Sequence, residues 1–242
     1  MPGKNEIVID DPGKLWFTSD THYGHRRILE YSHRPFPTVE QMGEEMVQNW
    51  NDYVTDDATV FHLGDFAIGP WRQTHAIMSR LRGRIRYVFG NHDHDIRGRP
   101  ALHGRFTSIH DMIQIKVRDA DAHGGYQRIT LCHFALETWN KAHRGAWHLH
   151  GHSHSSLAPR GKRLDVGVDA VAALRAFGSP CTVTDLAWVD GAPRRKSIYE
   201  VDPELKKRLA WDFFAPISYA DVKAFMASRQ FEAVDHHDGD RD

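Results

Sequence analysis

Five apolar runs of the chain end in residues that can bind metal ions or transfer protons. Each run is typical of a buried strand, and the residues that follow are Asp20 and His22, Asp65, Asn91 with His92 and Asp93, His133, and His152 with His154. Asp, Asn and His side chains supply the oxygen and nitrogen ligands of divalent ions. Because strand ends in packed sheets can meet at one edge, we predict a single site that holds two metal ions.

Two neighbouring divalent ions need a shared ligand and about three further ligands each. The predicted ligands are Asp20, His22, Asp65, Asn91, His133, His152 and His154. An aspartate suits the shared position, since its two oxygens can contact both ions. No Cys is among the candidates, so the set favours Mn, Fe or Zn in a catalytic site over a structural zinc.

His92 remains outside this ligand set, directly beside Asn91. A histidine next to a metal ligand is well placed to donate a proton, and Asp93 could fix its tautomer. A plain surface turn is the alternative reading of this pair. We also expect Asn91, His25 and Arg26 to contact substrate, although His25 could simply hydrogen-bond its own loop.

Helical patterns accompany the strands that must position these residues. A helix that begins after Thr38 carries Val39, Met42, Met46, Val47 and Trp50 on one face. Further helices are predicted at 71–81, 203–211 and after Ser218. Strands are predicted within 7–18, before Asp65, and at 84–89, 113–118, 126–132, 147–150, 164–168, 181–184 and 186–189. Strands interleaved with helices predict a layered α/β (α+β) sandwich.

Composition narrows the class of protein further. The chain has 242 residues and net charge -1, with 18 His and 2 Cys. We predict one domain over 1–232 and a disordered polar tail at 233–242. The charge argues against a general nucleic-acid or membrane surface, and the lack of a signal peptide or long apolar run predicts a cytoplasmic protein. The oligomeric state stays open.

The five motif blocks together resemble the calcineurin-like metallophosphoesterase superfamily. They are D-x-H at 20–22, G-D at 64–65, G-N-H-D at 90–93, the lone His133, and G-H-x-H at 151–154. The fuller stretches at 21–25 and 62–66 are similar to a small bacterial and phage-type branch of these hydrolases. The run at 166–169 fits the continuation of that pattern. Each block is weak alone, but five in the same order make a specific resemblance.

The resemblance implies a four-layer α-β-β-α sandwich and a role for each matching residue. Asp20, His22 and His154 would hold the first ion, and Asn91, His133 and His152 the second. Asp65 would bridge the two ions, and His92 would assist the leaving group. The implied activity is hydrolysis of small phosphate esters by a hydroxide that the two ions activate.

We expect phosphodiesters to be preferred over phosphomonoesters. A monoester carries more negative charge than a diester, and holding it calls for further cations. The motif blocks supply only histidines, and the nearest arginines, Arg26 and Arg34, lie in a loop. The alternatives are a phosphomonoesterase, a nuclease with the same site, or a metal-free interaction module. Nucleic acid is possible as a substrate but not favoured.

Overall fold

The computed structural model describes residues 7–189 and 192–232, with side chains at 7–183 and 196–232. The predicted tail at 233–242 lies outside the described residues. Two five-stranded mixed sheets and eight α-helices make up most of the described chain. The mixed α/β class that the sequence predicts is therefore confirmed.

The first sheet contains the strands that deliver Asp20, Asp65 and Asn91. In spatial order its strands are β12 (Ile217–Ser218), β2 (Leu15–Thr18), β3 (Thr59–His62), β4 (Arg84–Val88) and β5 (Phe106–His110). Strands β2 to β5 are parallel, and β12 pairs antiparallel at the edge. Helices connect the parallel strands: α1 (Ile28–Tyr31), α2 (Val39–Tyr53), α3 (Trp71–Met78), α4 (His94–Gly98) and α5 (Pro100–His103).

The second sheet delivers His133, His152 and His154. Its strands, in spatial order, are β1 (Ile7–Ile9), β6 (Met112–Arg118), β7 (Tyr126–Cys132), β8 (Trp147–His150) and β9 (Arg163–Asp165). Strands β6 and β7 form the predicted antiparallel hairpin, while β7, β8 and β9 run parallel. The chain then continues through α6 (Val168–Phe177), β10 (Val183–Val189), β11 (Ala192–Ser197), α7 (Ile198–Val201) and α8 (Tyr219–Ala227).

The two sheets share a hydrophobic core. Phe17 and Phe61 of the first sheet belong to the same buried cluster as Leu131 and Leu149 of the second, and each of these side chains is fully buried. Alternate residues of a strand point to opposite faces, so one face of each sheet contributes to this core. Burial of that apolar surface fixes the sheets relative to each other and so positions their strand ends.

Helix α2 covers the other face of the first sheet. Its apolar stripe, Met42, Met46 and Trp50, is buried in a second cluster with Val60 and Ile85 of the sheet. Thr38 caps the helix by accepting a hydrogen bond from the Gln41 N–H at 3.1 Å, as its sequence predicts. The helix and its capping residue are both confirmed.

The outer face of the second sheet is polar in the described residues. Gln114, Lys116, Arg128 and Thr130 alternate with the apolar residues of β6 and β7. Three layers are therefore present in the described residues: the two sheets and the helices that cover the first sheet. A second helical layer, which would complete the four-layer sandwich, stays a prediction.

Two predicted elements differ from the structure. The strand predicted at 164–168 ends at Asp165, and Val168 instead begins α6, which the sequence reading missed. Helix α6 contains several alanines, which are good helix formers. The apolar run that precedes it nevertheless predicts that the strand continues to residue 168. The helix predicted at 203–211 is wrong as well: Pro203–Arg208 and Trp211–Phe214 form two separate 3-10 turns.

Candidate metal centre

The predicted ligands from both sheets meet at one place. Asp20 follows β2, Asp65 follows β3 and His133 follows β7, while His152 and His154 follow β8. The structure contains two groups of acidic and histidine side chains whose ligand atoms lie within 4.8 Å of one another. One is Asp20, His22 and His154; the other is Asp20, Asp65 and His133.

Asp65, a member of the second group, lies between His22 of the first group and His133 of its own. Its Oδ2 atom is 3.6 Å from Nε2 of His22 and 3.5 Å from Nε2 of His133. Asp20 belongs to both groups, and its Oδ1 atom is 3.5 Å from Nε2 of His154. The sequence reading assigned the shared position to Asp65 alone, whereas the structure places two carboxylates between the histidines.

The remaining predicted ligands lie beside the second group. The ring of His152 is 5.2 Å from that of His133, and its backbone N–H donates to the Asp20 carboxylate at 3.0 and 3.1 Å. Asn91 Oδ1 is 2.9 Å from Nε2 of His133. All seven predicted ligands are therefore close together, although their division between two ions stays a prediction.

Several atoms at this centre fit a bound cation. Both ring nitrogens of His22 are buried and have no hydrogen-bond partner. Burial, and then the charge of His154, hold the pKa of His22 far below its usual range, so the ring is a neutral ligand. Burial and the nearby Asp20 charge raise the pKa of Asp65. A cation would complete the coordination of His22 and relieve the repulsion between the carboxylates.

Hydrogen bonds orient two of the histidines. His133 donates from Nδ1 to the Leu63 carbonyl at 2.7 Å, which leaves the Nε2 lone pair facing Asn91 Oδ1. Two acceptors that face the same space fit a shared cation. His154 donates from Nδ1 to Asp169 at 2.8 Å. Such partners fix the tautomer and ring orientation of metal-binding histidines.

Opposing effects act on the charge of His154. Burial alone would lower its pKa, but the hydrogen bond to Asp169 and the charge of Asp20 outweigh burial and raise the pKa to about 9 in the absence of metal. Binding of a cation at Nε2 would therefore displace a proton at neutral pH.

Arg34 links the loops that supply the first group of ligands. It forms a two-pronged ion pair with Asp169, with Nε–Oδ1 at 2.8 Å and Nη2–Oδ2 at 2.9 Å, and it is fully buried. It also donates to the backbone carbonyls of Asp20 at 2.7 Å and Thr21 at 2.9 Å. The donors of Arg34 are therefore committed to the protein interior and are not available to a bound phosphate.

Five of the seven predicted ligands have backbones in the left-handed region. Their φ angles are 55° at Asp20, 50° at His22, 56° at Asp65, 66° at His152 and 44° at His154. A residue other than glycine costs roughly 1–3 kcal/mol when it is held in a sparsely populated region, and such residues cluster at functional sites. The strain is therefore concentrated on the residues that the sequence assigns to chemistry.

Two glycines allow the backbone to pass close to the carboxylates. A Cβ atom at Gly90 would lie 2.2 Å from Oδ1 of Asp65, and one at Gly151 would lie 2.2 Å from Oδ2 of Asp20. No side chain fits at either distance. The G-N-H-D and G-H-x-H blocks thus need glycine because their backbones line the metal centre.

The structure gives Asp93 a different role from the predicted one. Its buried carboxylate accepts hydrogen bonds from the backbone N–H of Asp65 at 3.0 Å and of Gly90 at 2.6 Å, and from the Tyr87 hydroxyl at 2.7 Å. These bonds hold the β3 and β4 loops together. The prediction that Asp93 orients the His92 ring is wrong, since its oxygens face the backbone of the neighbouring loop.

The rings of His92 and His25 pack beside that of His22, and their predicted roles at the substrate stay predictions. Their ring centroids are 5.6 Å and 5.3 Å from that of His22, and His92 is exposed. Arg26 is also exposed, but its guanidinium lies 3.6 Å from Glu40. The described contacts of Arg26 therefore give no support to a role in substrate binding.

Comparison with known proteins places the chain among relatives of phage and archaeal origin. No family model matches it. The gene 66 protein of Mycobacterium phage L5 is 31% identical over 180 residues, which cover 64% of this chain and 86% of the phage protein. The chain belongs to the same family as this gene 66 protein. An uncharacterised protein of Methanocaldococcus jannaschii is 28% identical over 167 residues, covering 65% of this chain and 83% of the archaeal one.

A solved structure of an archaeal phosphodiesterase is also similar to the chain. It is 16% identical, with a TM-score of 0.40, and the match covers 76% of this chain and 98% of the archaeal structure. A likeness at this level carries no argument about activity. Within the described residues, no helix combines the length and apolar character needed to cross a membrane.

Proposed function

We propose that this protein is a phosphodiesterase of the calcineurin-like metallophosphoesterase type that uses two divalent ions. The observation that carries the proposal is the pair of ligand groups that share Asp20, with Asp65 between His22 and His133. The orphaned nitrogens of His22 and the strained ligand backbones support the same assignment. The four-layer sandwich belongs to this proposal as well.

The first ion would be held by Asp20, His22 and His154, and the second by Asn91, His133 and His152. Asp65 would contact both, and the set of nitrogen and oxygen ligands suits Mn, Fe or Zn. Such ions, when bound, lower the pKa of an attacking water and neutralise charge on the phosphate oxygens.

His92 supplies the proton chemistry on the protein side. Its backbone N–H donates to Asp65 Oδ1 at 2.8 Å, which ties the residue to the metal centre, while its side chain is exposed toward the space above His22. As the bond between phosphorus and the leaving oxygen breaks, the His92 ring donates its proton to that oxygen. The water oxygen bonds to phosphorus on the side opposite the leaving oxygen and loses a proton to solvent, and solvent returns a proton to His92. No phosphoenzyme forms.

The surroundings favour a singly charged diester. Arg34 is committed to Asp169, and Arg26 lies beside Glu40, so neither of the two arginines considered from sequence provides the extra cation that a monoester needs. The charge available to the phosphate then comes from the ions and His92. Free cysteines at Cys132 and Cys181 agree with the proposed cytoplasmic location.

The test compares bis(4-nitrophenyl) phosphate with 4-nitrophenyl phosphate, using protein supplied with Mn²⁺ or treated with EDTA. We expect metal-dependent hydrolysis, with the larger kcat/KM for the diester. His22→Asn should abolish activity, whereas His75→Asn, at an exposed position on α3, should not affect it. Preference for the monoester would favour a phosphomonoesterase. Absence of both metal binding and hydrolysis would favour the interaction-module alternative.

A further inference from the structure

Exposed aromatic side chains are concentrated at the proposed active site. In the part of the chain whose side chains are described, three aromatic residues are largely exposed: Tyr31 at 56%, Tyr53 at 47% and Phe134 at 45%. Tyr31 and Phe134 lie beside the metal centre. Single exposed apolar residues are common on protein surfaces, whereas exposed apolar side chains grouped at a candidate site mark a ligand-binding surface.

Phe134 borders the second group of ligands. It directly follows His133, and its ring centroid lies 5.1 Å from the His133 ring and 4.9 Å from the His152 ring. Both contacts are edge-on, at interplanar angles of 78° and 64°. The two histidines thus hold the phenyl ring in place while nearly half of its surface remains open to a ligand.

Tyr31 borders the first group. It is the last residue of α1, and its ring centroid lies 6.2 Å from that of His25, which in turn packs 5.3 Å from the His22 ring. Together with His154 it lines a cavity of about 210 Å³. The Arg27 guanidinium lies 4.6 Å from the Tyr31 ring centroid. The tyrosine ring therefore forms one wall of a space that adjoins the metal ligands.

The two rings lie at opposite ends of a continuous series of contacts. From Tyr31 the series runs through His25 and His22 to Asp65, whose Oδ2 atom lies between His22 and His133. From His133 it reaches Phe134. One exposed ring therefore borders each of the two ligand groups.

We propose that the substrate is a phosphodiester with a nucleoside on each side of phosphorus, and that Phe134 and Tyr31 each stack against one nucleobase. This inference rests on the proposed function and names its substrate class. Every nucleobase has a flat π-face, so stacking on an aromatic side chain tolerates any base. A dinucleotide has a single bridging phosphate, so its recognition does not call for an extended basic groove. Such a substrate therefore suits a chain with a net charge of -1.

The test uses three dinucleoside phosphates that differ only in their bases. One is thymidylyl-thymidine, and the others carry an abasic deoxyribose in place of the 5′ or the 3′ thymidine. The net charge is the same in all three, and the leaving group is in each case the same type of deoxyribose hydroxyl. Because stacking of a base on an aromatic side chain is worth about 1–3 kcal/mol, loss of either base should lower kcat/KM of the wild type by about 5- to 150-fold, mainly through KM.

Protein variants identify the ring that each base contacts. Phe134→Ala should remove the advantage of one base and Tyr31→Ala that of the other, so that each abasic substrate is insensitive to one substitution. Phe134→Trp should retain the advantage. Tyr53→Ala is the matched control. Tyr53 ends α2, is similarly exposed and packs against Trp16 of β2, so its replacement should keep the full preference.

The outcomes separate this inference from the proposed function. Equal kcat/KM for the three dinucleotides would overturn the stacking proposal, as would variants that slow all three substrates by the same factor. Hydrolysis of bis(4-nitrophenyl) phosphate without hydrolysis of thymidylyl-thymidine would also overturn it while leaving the phosphodiesterase intact. Failure to hydrolyse any diester in the presence of Mn²⁺ would contradict the proposed function itself.

Discussion

Replacing Arg34 with methionine should destabilise the protein more than any exposed arginine substitution. The side chain of Arg34 is fully buried, and both of its prongs contact the Asp169 carboxylate. Methionine keeps much of the apolar stem of the side chain. Of the described side-chain hydrogen bonds to Asp169, the one from His154 would then remain. Removing one partner of a buried ion pair costs about 3–5 kcal/mol. We expect the lower end of that range, because protonated His154 still donates to Asp169 when no metal is bound.

This magnitude is large compared with the stability of an ordinary domain, which is about 5–15 kcal/mol. Two backbone contacts add to it, since Arg34 also donates to the carbonyls of Asp20 and Thr21. Arg34→Lys keeps the charge but loses the planar fork, so its effect should be intermediate. Replacing both partners, as Arg34→Met with Asp169→Leu, should recover part of the lost stability.

Metal affinity should respond differently from stability. The double variant removes the carboxylate that orients His154, and loss of such a partner typically lowers metal affinity about 10–100-fold. The stability of each variant is measured by urea unfolding in EDTA, and metal affinity by Mn²⁺ titration calorimetry. The double variant should therefore be more stable than Arg34→Met yet bind Mn²⁺ more weakly than the wild type.

Arg80→Met is the matched control for this experiment. Arg80 also forms a two-pronged pair, with Glu44 at 2.6 and 2.7 Å, but both side chains are largely exposed. Exposed pairs contribute about 0–1 kcal/mol. If Arg34→Met lost no more stability than Arg80→Met, the argument from burial would be refuted.

Three further predictions follow from the same structure. His92→Ala should keep its metal but lose rate by about 10²–10⁴-fold, and less for good leaving groups such as nitrophenolate; loss of metal would contradict the ligand set. Gly90→Ala should weaken metal binding in calorimetry, because its Cβ would lie 2.2 Å from Oδ1 of Asp65. His148→Gln should flatten the fall in stability between pH 7 and pH 5, measured by urea unfolding in EDTA; an unchanged slope would contradict the pKa argument.

The sign of the last prediction follows from burial. Burial lowers the pKa of His148 from 6.5 to about 4. Between these two pH values the unfolded chain binds a proton at His148, whereas the native ring stays neutral. Stability is therefore greatest above pH 6.5 and falls as the pH drops toward 4. The full loss from this histidine is about 3 kcal/mol, at roughly 1.36 kcal/mol per pKa unit.

The clustering of the candidate ligands was predictable from sequence because each one follows an apolar run. Such a run must be buried, and its end must leave the core at the sheet edge, so Asp20, Asp65 and His133 could be assigned to one site before their distances were known. Gly90 and Gly151 were also visible from sequence, because each begins one of the short motif blocks, G-N-H-D and G-H-x-H. These inferences need only periodicity and residue chemistry.

The contacts that support the ligands could not be predicted in the same way. Arg34 and Asp169 are 135 residues apart in sequence, and their pairing depends on how α6 packs against the loop after β2. Asp93 was assigned to its neighbour His92 because sequence shows only adjacency. Its carboxylate turns instead toward the backbone of Asp65, 28 residues away. Long-range partners of this kind depend on tertiary packing rather than on local pattern.

The number of metal ions per chain tests the central claim most directly. Purified protein supplied with Mn²⁺ and freed of excess ion would be analysed for metal content alongside its phosphodiesterase activity. The structure predicts two ions per active chain, and it predicts that Asp65→Ala loses one or both, because Asp65 lies between His22 and His133. Active protein that contains one ion or none would contradict the two-metal account.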